Sequence, residues 1–271
     1  MRVRNRRKNL FTFVMICAVV IIAVYIAGIL IPEQNGNYLE AYLPPSASHI
    51  FGTDALGRDV FWRTIKGMSS SMTIGVAASL ISALIAVPVG AAAAGSKAAD
   101  AVISRVIDLF MSVPHIILVL LISFALGKGF YGLLVGIAAT HWCSLARIIR
   151  SETLQIRSCE YVAIAGKLGR SQKWIFLHHI MPNILPQMIV GIVLTFPHAV
   201  LHEAAVSFLG FGLSPEQSSI GMILSESMEY LSAGMWWSAV FPGLVLIAIV
   251  LLIDKIGDGI RLMADPYSAQ E

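Results

Sequence analysis

Long apolar runs separated by polar stretches dominate the chain. Six of them meet or approach the roughly 20 residues a helix needs to cross the hydrocarbon core of a bilayer. They fall near 10–32, 73–95, 111–127, 131–149, 187–209 and 238–254, with the third and sixth short. The pattern predicts an all-α, polytopic membrane protein of six transmembrane helices. The first run is too long for the apolar core of a signal peptide, and no A-x-A-like cleavage site follows it, so it reads as an uncleaved span. Two connections are long. Residues 33–72 contain Pro44, Pro45, Gly52 and Gly57, and are expected to be ordered by turns as much as by helix. Residues 150–186 are basic and helix-compatible, and Pro182 and Pro186 are expected to close them. The chain divides into 1–72, a first helix with its outer loop, and 73–271, a five-helix core. No inverted repeat and no low-complexity segment is evident.

Composition narrows the class. Of the 271 residues 57% are hydrophobic and only 13% charged, against about 25% charged in soluble domains. Mean hydropathy is +0.78. These values exclude a soluble enzyme, a nucleic-acid-binding domain and a disordered chain. The basic residues give the orientation. Arg2, Arg4, Arg6, Arg7 and Lys8 precede the first span. Lys97 and Arg105, then Arg147, Arg150, Arg157, Lys167, Arg170 and Lys173, then Lys255 and Arg261 fall on the same side. The opposite side holds only Arg58, Arg63, Lys66 and Lys128, and its last segment has Glu203, Glu216, Glu226 and Glu229 but no Lys or Arg. The bias predicts both termini in the cytoplasm. Cys17, Cys143 and Cys159 are scattered, with neither a CxxC nor a metal spacing, and read as thiols.

Several chemistries are absent. The nearest approach to a phosphate-binding loop, Gly90 to Lys97, has its Ser96 and Lys97 in reversed order and ends an apolar helix. It reads as small residues for close helix packing. No nucleophile–base or metal-base motif occurs. Gly132 and Gly136 form a GxxxG pair, good for a close helix contact. Ionisable groups inside a membrane are costly and face a pathway or a partner. The fifth span carries His198, His202 and Glu203, and the fourth His141. The spacing of four puts His198 and His202 on one helix face, where two imidazoles suit nickel, copper or zinc. A transient site or a polar lining fits transport better than a tight one. Hydrogen-bonded packing is the competing reading for each histidine, including His115. Asp108 is expected to pair with Arg105, and Lys255 with Asp254 or Asp258. Pro88 and Pro197 are candidate kinks, and Trp236 and Trp237 candidate interfacial anchors.

In the basic connection, small residues, a Gly break and a second helix suggest a compact helix–turn–helix. On local physics it either docks a partner protein or rests on anionic headgroups. Its residues resemble the EAA loop of membrane subunits of binding-protein-dependent ABC importers. Ala163, Ile164 and Ala165 stand at the Glu-Ala-Ala places, Gly169 at the Gly, and His179, Met181 and Pro182 at the hydrophobic-x-hydrophobic-Pro end. The Glu and the first Ala are replaced here, as is the usual aliphatic residue at His179. Three further stretches resemble the dipeptide/oligopeptide/nickel branch: His49 to Val60, Ser207 to Gly212, and Gly257 to Arg261 with Asp265 and Pro266.

The resemblance implies an importer-type permease fold and a transport subunit rather than an enzyme, in the inner membrane of a prokaryotic cell. It implies a coupling loop of Ala163, Ile164, Ala165, Gly166, Lys167, Leu168, Gly169, Arg170 and Pro182 seated on an ATPase. Its partners would be a second permease forming a heterodimer, two ATPase subunits, an extracytoplasmic solute-binding protein and the bilayer, with no nucleic acid. No cofactor is expected on this chain, ATP and Mg being held by the ATPases. His141 with Trp142, together with His198 and His202, is more similar to nickel-transporting members, so nickel or a nickel chelate is the expected solute and peptides the alternative. A self-contained channel, a secondary transporter and a membrane enzyme are the competing classes. The first two would act without nucleotide.

Overall fold

The computed structural model describes residues 2–213 and 217–264. Glu216, Asp265 and Pro266 fall outside the described residues, as do the side chains of the basic cluster Arg2 to Lys8. The chain is almost entirely helical. α1 spans Arg2–Leu30 and α2 Val60–Ala93, joined by a loop with one 3₁₀ turn at Tyr38–Glu40. α3 (Lys97–Ser112) and α4 (His115–Ala125) lead to α5 (Gly129–Arg157). The short α6 (Glu160–Lys167) and α7 (Gln172–Ile175) pass through a π turn at Phe176–Ile180 into α8 (Met181–Phe208). α9 (Ile220–Leu231) and α10 (Trp237–Ala264) complete the fold. Among the described residues five helices are long and apolar enough to cross a membrane, and six if α3 and α4 make one bent span.

α2 is the central post. It packs on α1, α5 and α8, and at 1.5 Å per residue its 34 residues extend about 50 Å. Small residues set these crossings. A Cβ on Gly90 would lie 2.6 Å from the Ala146 carbonyl of α5, and one on Gly28 2.6 Å from the Ile65 carbonyl of α2. The GxxxG pair acts as expected, bringing α5 onto α4 with Gly132 against the Ser123 carbonyl and Gly136 against that of Val119. α10 runs antiparallel to α1, with Gly259 against Val14 and the Ile253 end beside Ile21. The first and last helices therefore have their chain-terminal ends at the same face. That face also carries α3, α6 and α7 and is called here the basic face. The loop 31–59 and α9 mark the opposite, loop face.

Several boundaries differ from expectation, each for a local reason. α2 begins at Val60, not near 73, because Asp59 caps it, its Oδ1 accepting from the backbone N–H of Phe61 and Trp62. The division expected at 72/73 thus falls inside a helix. The third span is broken: α3 and α4 meet at 91° at Val113–Pro114. A residue before proline is held out of the helical region, and Val113 is extended with ψ 136°. Of the described α3 residues only Ile107 is buried. Asp108 pairs with Arg147 of α5 at 2.5 Å rather than with Arg105, and Asp100 takes Arg150 in a two-pronged contact, 2.6 Å at Nη2. Pro182 and Pro186 do not close the basic connection. Pro182 sits in the first turn of α8, where a missing N–H is harmless, and the preceding π turn absorbs the change of register. α10 continues to Ala264, ten residues past the expected 254. Its polar end carries Lys255 paired with Asp258 at 3.5 Å. Pro88 and Pro197 lie within continuous helices. Trp237 ties the start of α10 to the first loop, its Nε1–H reaching the Thr53 carbonyl at 3.5 Å.

Candidate functional sites

At the basic face the α6–α7 segment folds as a small helical knob. Val162 and Ala165 turn inward onto a core that includes Ile175, Ile180 and Ile184, each 7% exposed or less. The same periodicity turns Tyr161, Ile164 and Leu168 outward, at 44%, 55% and 76% exposed. These three large side chains, at spacings of three and four, form an exposed stripe, with the Tyr161 ring against His179 at 5.5 Å. Ala163, Gly166, Lys167, Gly169 and Arg170 are exposed around it, and Pro182 is exposed beyond the π turn. Leu168 ends α6, and Gly169 reverses the chain at φ +80° with no atom within 4 Å of a Cβ placed there. The turn needs glycine for its backbone conformation, not for space. Ser171 then caps α7 by accepting from the Trp174 N–H at 3.2 Å. Arg170 lies over the Trp174 ring at 4.6 Å, and His178 stacks on that ring at 4.3 Å. The segment is thus a preformed apolar-and-basic knob held by the body of the protein.

The histidines are partly brought together. His115 of α4, His141 of α5 and His202 of α8 converge, with ring centroids 4.4, 4.8 and 5.1 Å apart. His141 and His202 each donate Nδ1–H to the carbonyl four residues back, Ile137 at 2.9 Å and His198 at 2.7 Å. His115 Nε2 lies 3.1 Å from His141 Nδ1. The three rings stand edge-to-face, and no group of three or more His, Cys, Asp or Glu among the described residues has the arrangement of a metal site. His198 is exposed and contributes only its carbonyl to the group. The pairing of His198 with His202 rested on helical spacing. The convergence of His202 with His115 needed tertiary structure.

Glu203 points away from them. It is fully buried, accepting from Ser207 Oγ at 2.7 Å, with the Ser71 and Ser219 hydroxyls also facing it and Oε2 left without a partner. Ser219 caps α9. Beside it, a Cβ on Gly221 would lie 2.2 Å from the Ala204 carbonyl. Glu203 therefore sits where α9 is pinned onto α8 and α2.

A charged constellation at the loop face escaped the sequence reading. Asp54 accepts from Arg58 Nε at 2.7 Å and Arg63 Nη1 at 2.6 Å, and Glu226 of α9 accepts from Arg63 Nη2 at 2.9 Å. Asp54 also takes the backbone N–H of Leu56 and Arg58 at 2.9 Å, and Gly57 turns the loop against Asn37 at φ +72°. His49 Nδ1 lies 2.9 Å from Asp59. The signal was present in the density of charges from Asp54 to Arg63. Glu226, 163 residues beyond Arg63, carried none.

Comparison with known proteins places these sites in context. Residues 85–266 match the family model described as the binding-protein-dependent transport system inner membrane component. The chain is 36% identical over 229 residues to the dipeptide transport system permease protein of Bacillus subtilis, covering 84% of this chain and 71% of that one. It is 33% identical to the oligopeptide transport system permease protein of the same organism, over 93% of this chain and 85% of that one. Among solved structures, the MetNI methionine ABC transporter in inward-facing form superposes with a TM-score of 0.59 at 18% identity, over 76% of this chain and 98% of that one. At that identity the likeness speaks for the fold alone.

Proposed function

The chain belongs to the family of binding-protein-dependent transport system inner membrane components, and from that premise we propose that it is one of two permeases forming the path of an ATP-driven importer of dipeptides or short peptides. As a member of that family it is a multi-pass transport subunit and not an enzyme. ATP hydrolysis is done by partner ATPases, and a substrate-binding protein delivers the solute. The observation that carries the peptide reading is the 36% identity with a dipeptide permease over 84% of the chain. It outweighs the nickel reading, whose pair of histidines is divided here between an exposed His198 and a packed His202.

The basic face lies in the cytoplasm, in keeping with the distribution of Lys and Arg. There Tyr161, Ile164 and Leu168 seat in a cleft of one ATPase subunit while Lys167 and Arg170 meet acidic groups at its rim. Nucleotide-driven closure of the ATPases moves this knob. Motion passes through the π turn into α8, because Ile175 and Ile180 are packed in the same core as Ile184. His198, with His202 beside it, faces the path shared with the second permease. Glu203 holds α9 in place. ATP and Mg remain on the partner chains.

Deletion of this gene in its host, followed by parallel uptake of a labelled dipeptide and labelled nickel, tests the reading. Loss of dipeptide uptake with nickel uptake intact is the expected result. Loss of nickel uptake alone would overturn it.

A further inference from the structure

Glu203 lies near the end of α8 at Phe208, about 8 Å short of the loop face at 1.5 Å per residue. It and three neighbours, Ser71 of α2, Ser207 of α8 and Ser219 at the start of α9, are each 0% exposed. Glu203 Oε1 accepts from Ser207 Oγ at 2.7 Å, the other two hydroxyls face the carboxyl group, and Oε2 has no hydrogen-bond partner. We propose that Glu203, Ser71, Ser207 and Ser219 form a binding site for one monovalent metal cation, sodium in size, that ties α9 to α8 and α2.

A buried carboxylate needs a compensating charge, and the packed helices offer none. Arg63 of α2 is engaged by Asp54 and Glu226, and Lys66 by Glu33 and the Ile31 carbonyl. α9 brings only Glu226, Glu229 and Tyr230. α10 has no titratable side chain between Trp237 and Ile253, and presents Leu246, Ile249 and Val250 to the core that holds Ala204 and Ile220. On α8 itself, His202 turns to His115 and His198 is exposed. The hydrogen-bond inventory agrees. Each serine hydroxyl already accepts one backbone N–H: Ser71 from Ile220 at 3.4 Å, Ser207 from Leu213 at 3.3 Å and Ser219 from Met222 at 3.2 Å. A hydroxyl has one donor and two lone pairs, so each Oγ keeps a spare lone pair beside the open Oε2. Acceptors outnumber donors in the cluster. A proton on Oε2 would need an acceptor within hydrogen-bond reach, and none is there among the described residues. A water molecule would donate to Oε2 but bring no charge. A small cation supplies the charge and takes these oxygens as ligands, and a single carboxylate suits a single positive charge.

The site is closed, so a cation enters only when α9 lifts from α8, and amide exchange in α9 reports its binding. The test uses the complete importer, with its second permease and ATPases, in lipid nanodiscs. Hydrogen–deuterium exchange of peptides within 217–231 is followed by mass spectrometry while sodium chloride replaces choline chloride at constant ionic strength. At ten times the half-saturating sodium concentration, exchange in the first turn of α9 should slow roughly tenfold in wild type and stay unchanged in Glu203→Gln. Ser71→Ala takes an acceptor from the Ile220 N–H and loosens α9 in either salt. It should also raise the half-saturating sodium concentration roughly fivefold, the scale of one lost ligand contact. The ratio between the two salts is the readout, so a merely loosened α9 does not imitate the result. No sodium response in wild type, or an equal response in Glu203→Gln, would overturn the site. If Glu203→Gln fails to assemble, Ser71→Ala decides, and an unshifted half-saturation overturns it. Peptide uptake plays no part in this readout, so failure of the site leaves the import reading standing.

Discussion

Truncating the knob at the basic face should uncouple ATPase docking without harming the fold. Leu168 is 76% exposed and Ile164 55% exposed. Full burial of a Leu or Ile side chain is worth about 1.5–3 kcal/mol. Covering the exposed part of each by a partner therefore contributes about 1–2 kcal/mol. Alanine keeps part of that area, so Leu168→Ala should cost about 1 kcal/mol, or roughly fivefold in affinity. The double variant Ile164→Ala/Leu168→Ala should cost about 2 kcal/mol, roughly 30-fold, if the two contacts add. Neither side chain supports the core, so melting of the purified permease should stay within about 0.5 kcal/mol of wild type. The assay is titration of purified ATPase subunits onto the permease pair in nanodiscs, read by fluorescence anisotropy. Val162→Ala is the contrasting control. It removes buried volume, since Val162 is 7% exposed, and should lower the melting temperature instead. Unchanged ATPase affinity in the double variant would refute the docking argument.

Other substitutions test other parts of the account. Gly221→Ala forces a Cβ to 2.2 Å from the Ala204 carbonyl, and should destabilise the protein by about 1–3 kcal/mol in a detergent melt. Glu203→Gln keeps an acceptor for Ser207 and should melt within about 1 kcal/mol of wild type, whereas Glu203→Ala strands buried hydroxyls and should cost about 1–3 kcal/mol. Cys159 is the one cysteine of the three that is not buried. A membrane-impermeant maleimide should label the permease in inside-out vesicles stripped of ATPase and spare it in right-side-out cells. The reverse pattern would invert the orientation. Nickel in tenfold excess should leave dipeptide uptake unchanged, and competition would return His198 and His202 to the role of ligands.

Sequence made some parts of this molecule legible and hid others, along physical lines. The long apolar runs revealed the spans because each must fill the bilayer by itself. The Gly132–Gly136 contact was legible because small residues at helical spacing have few other uses. Local punctuation was harder to weigh. Pro114 breaks the third span at 91° while Pro182, Pro186 and Pro197 are absorbed into α8, and proline chemistry alone does not separate these outcomes. The position of Pro182 in a first turn and the adjoining π turn do. α9 was missed because its 12 residues are too few to span a membrane, although Ser219 as a cap was a usable signal. The knob residues were visible through their resemblance, but which of them face outward followed only from the burial of Val162 and Ala165. The histidine group and the Arg63–Glu226 pair join residues far apart in the chain, and a single sequence holds no record of such pairings.

The central claim is that this chain is half of an ATP-driven peptide path. Its most direct test is uptake of labelled glycyl-phenylalanine into proteoliposomes holding both permeases, the ATPases and the binding protein, with ATP supplied on the ATPase side. The account predicts accumulation that requires ATP hydrolysis and this chain, and that is lost with the Ile164→Ala/Leu168→Ala variant. Accumulation without nucleotide, or by this chain alone, would contradict it.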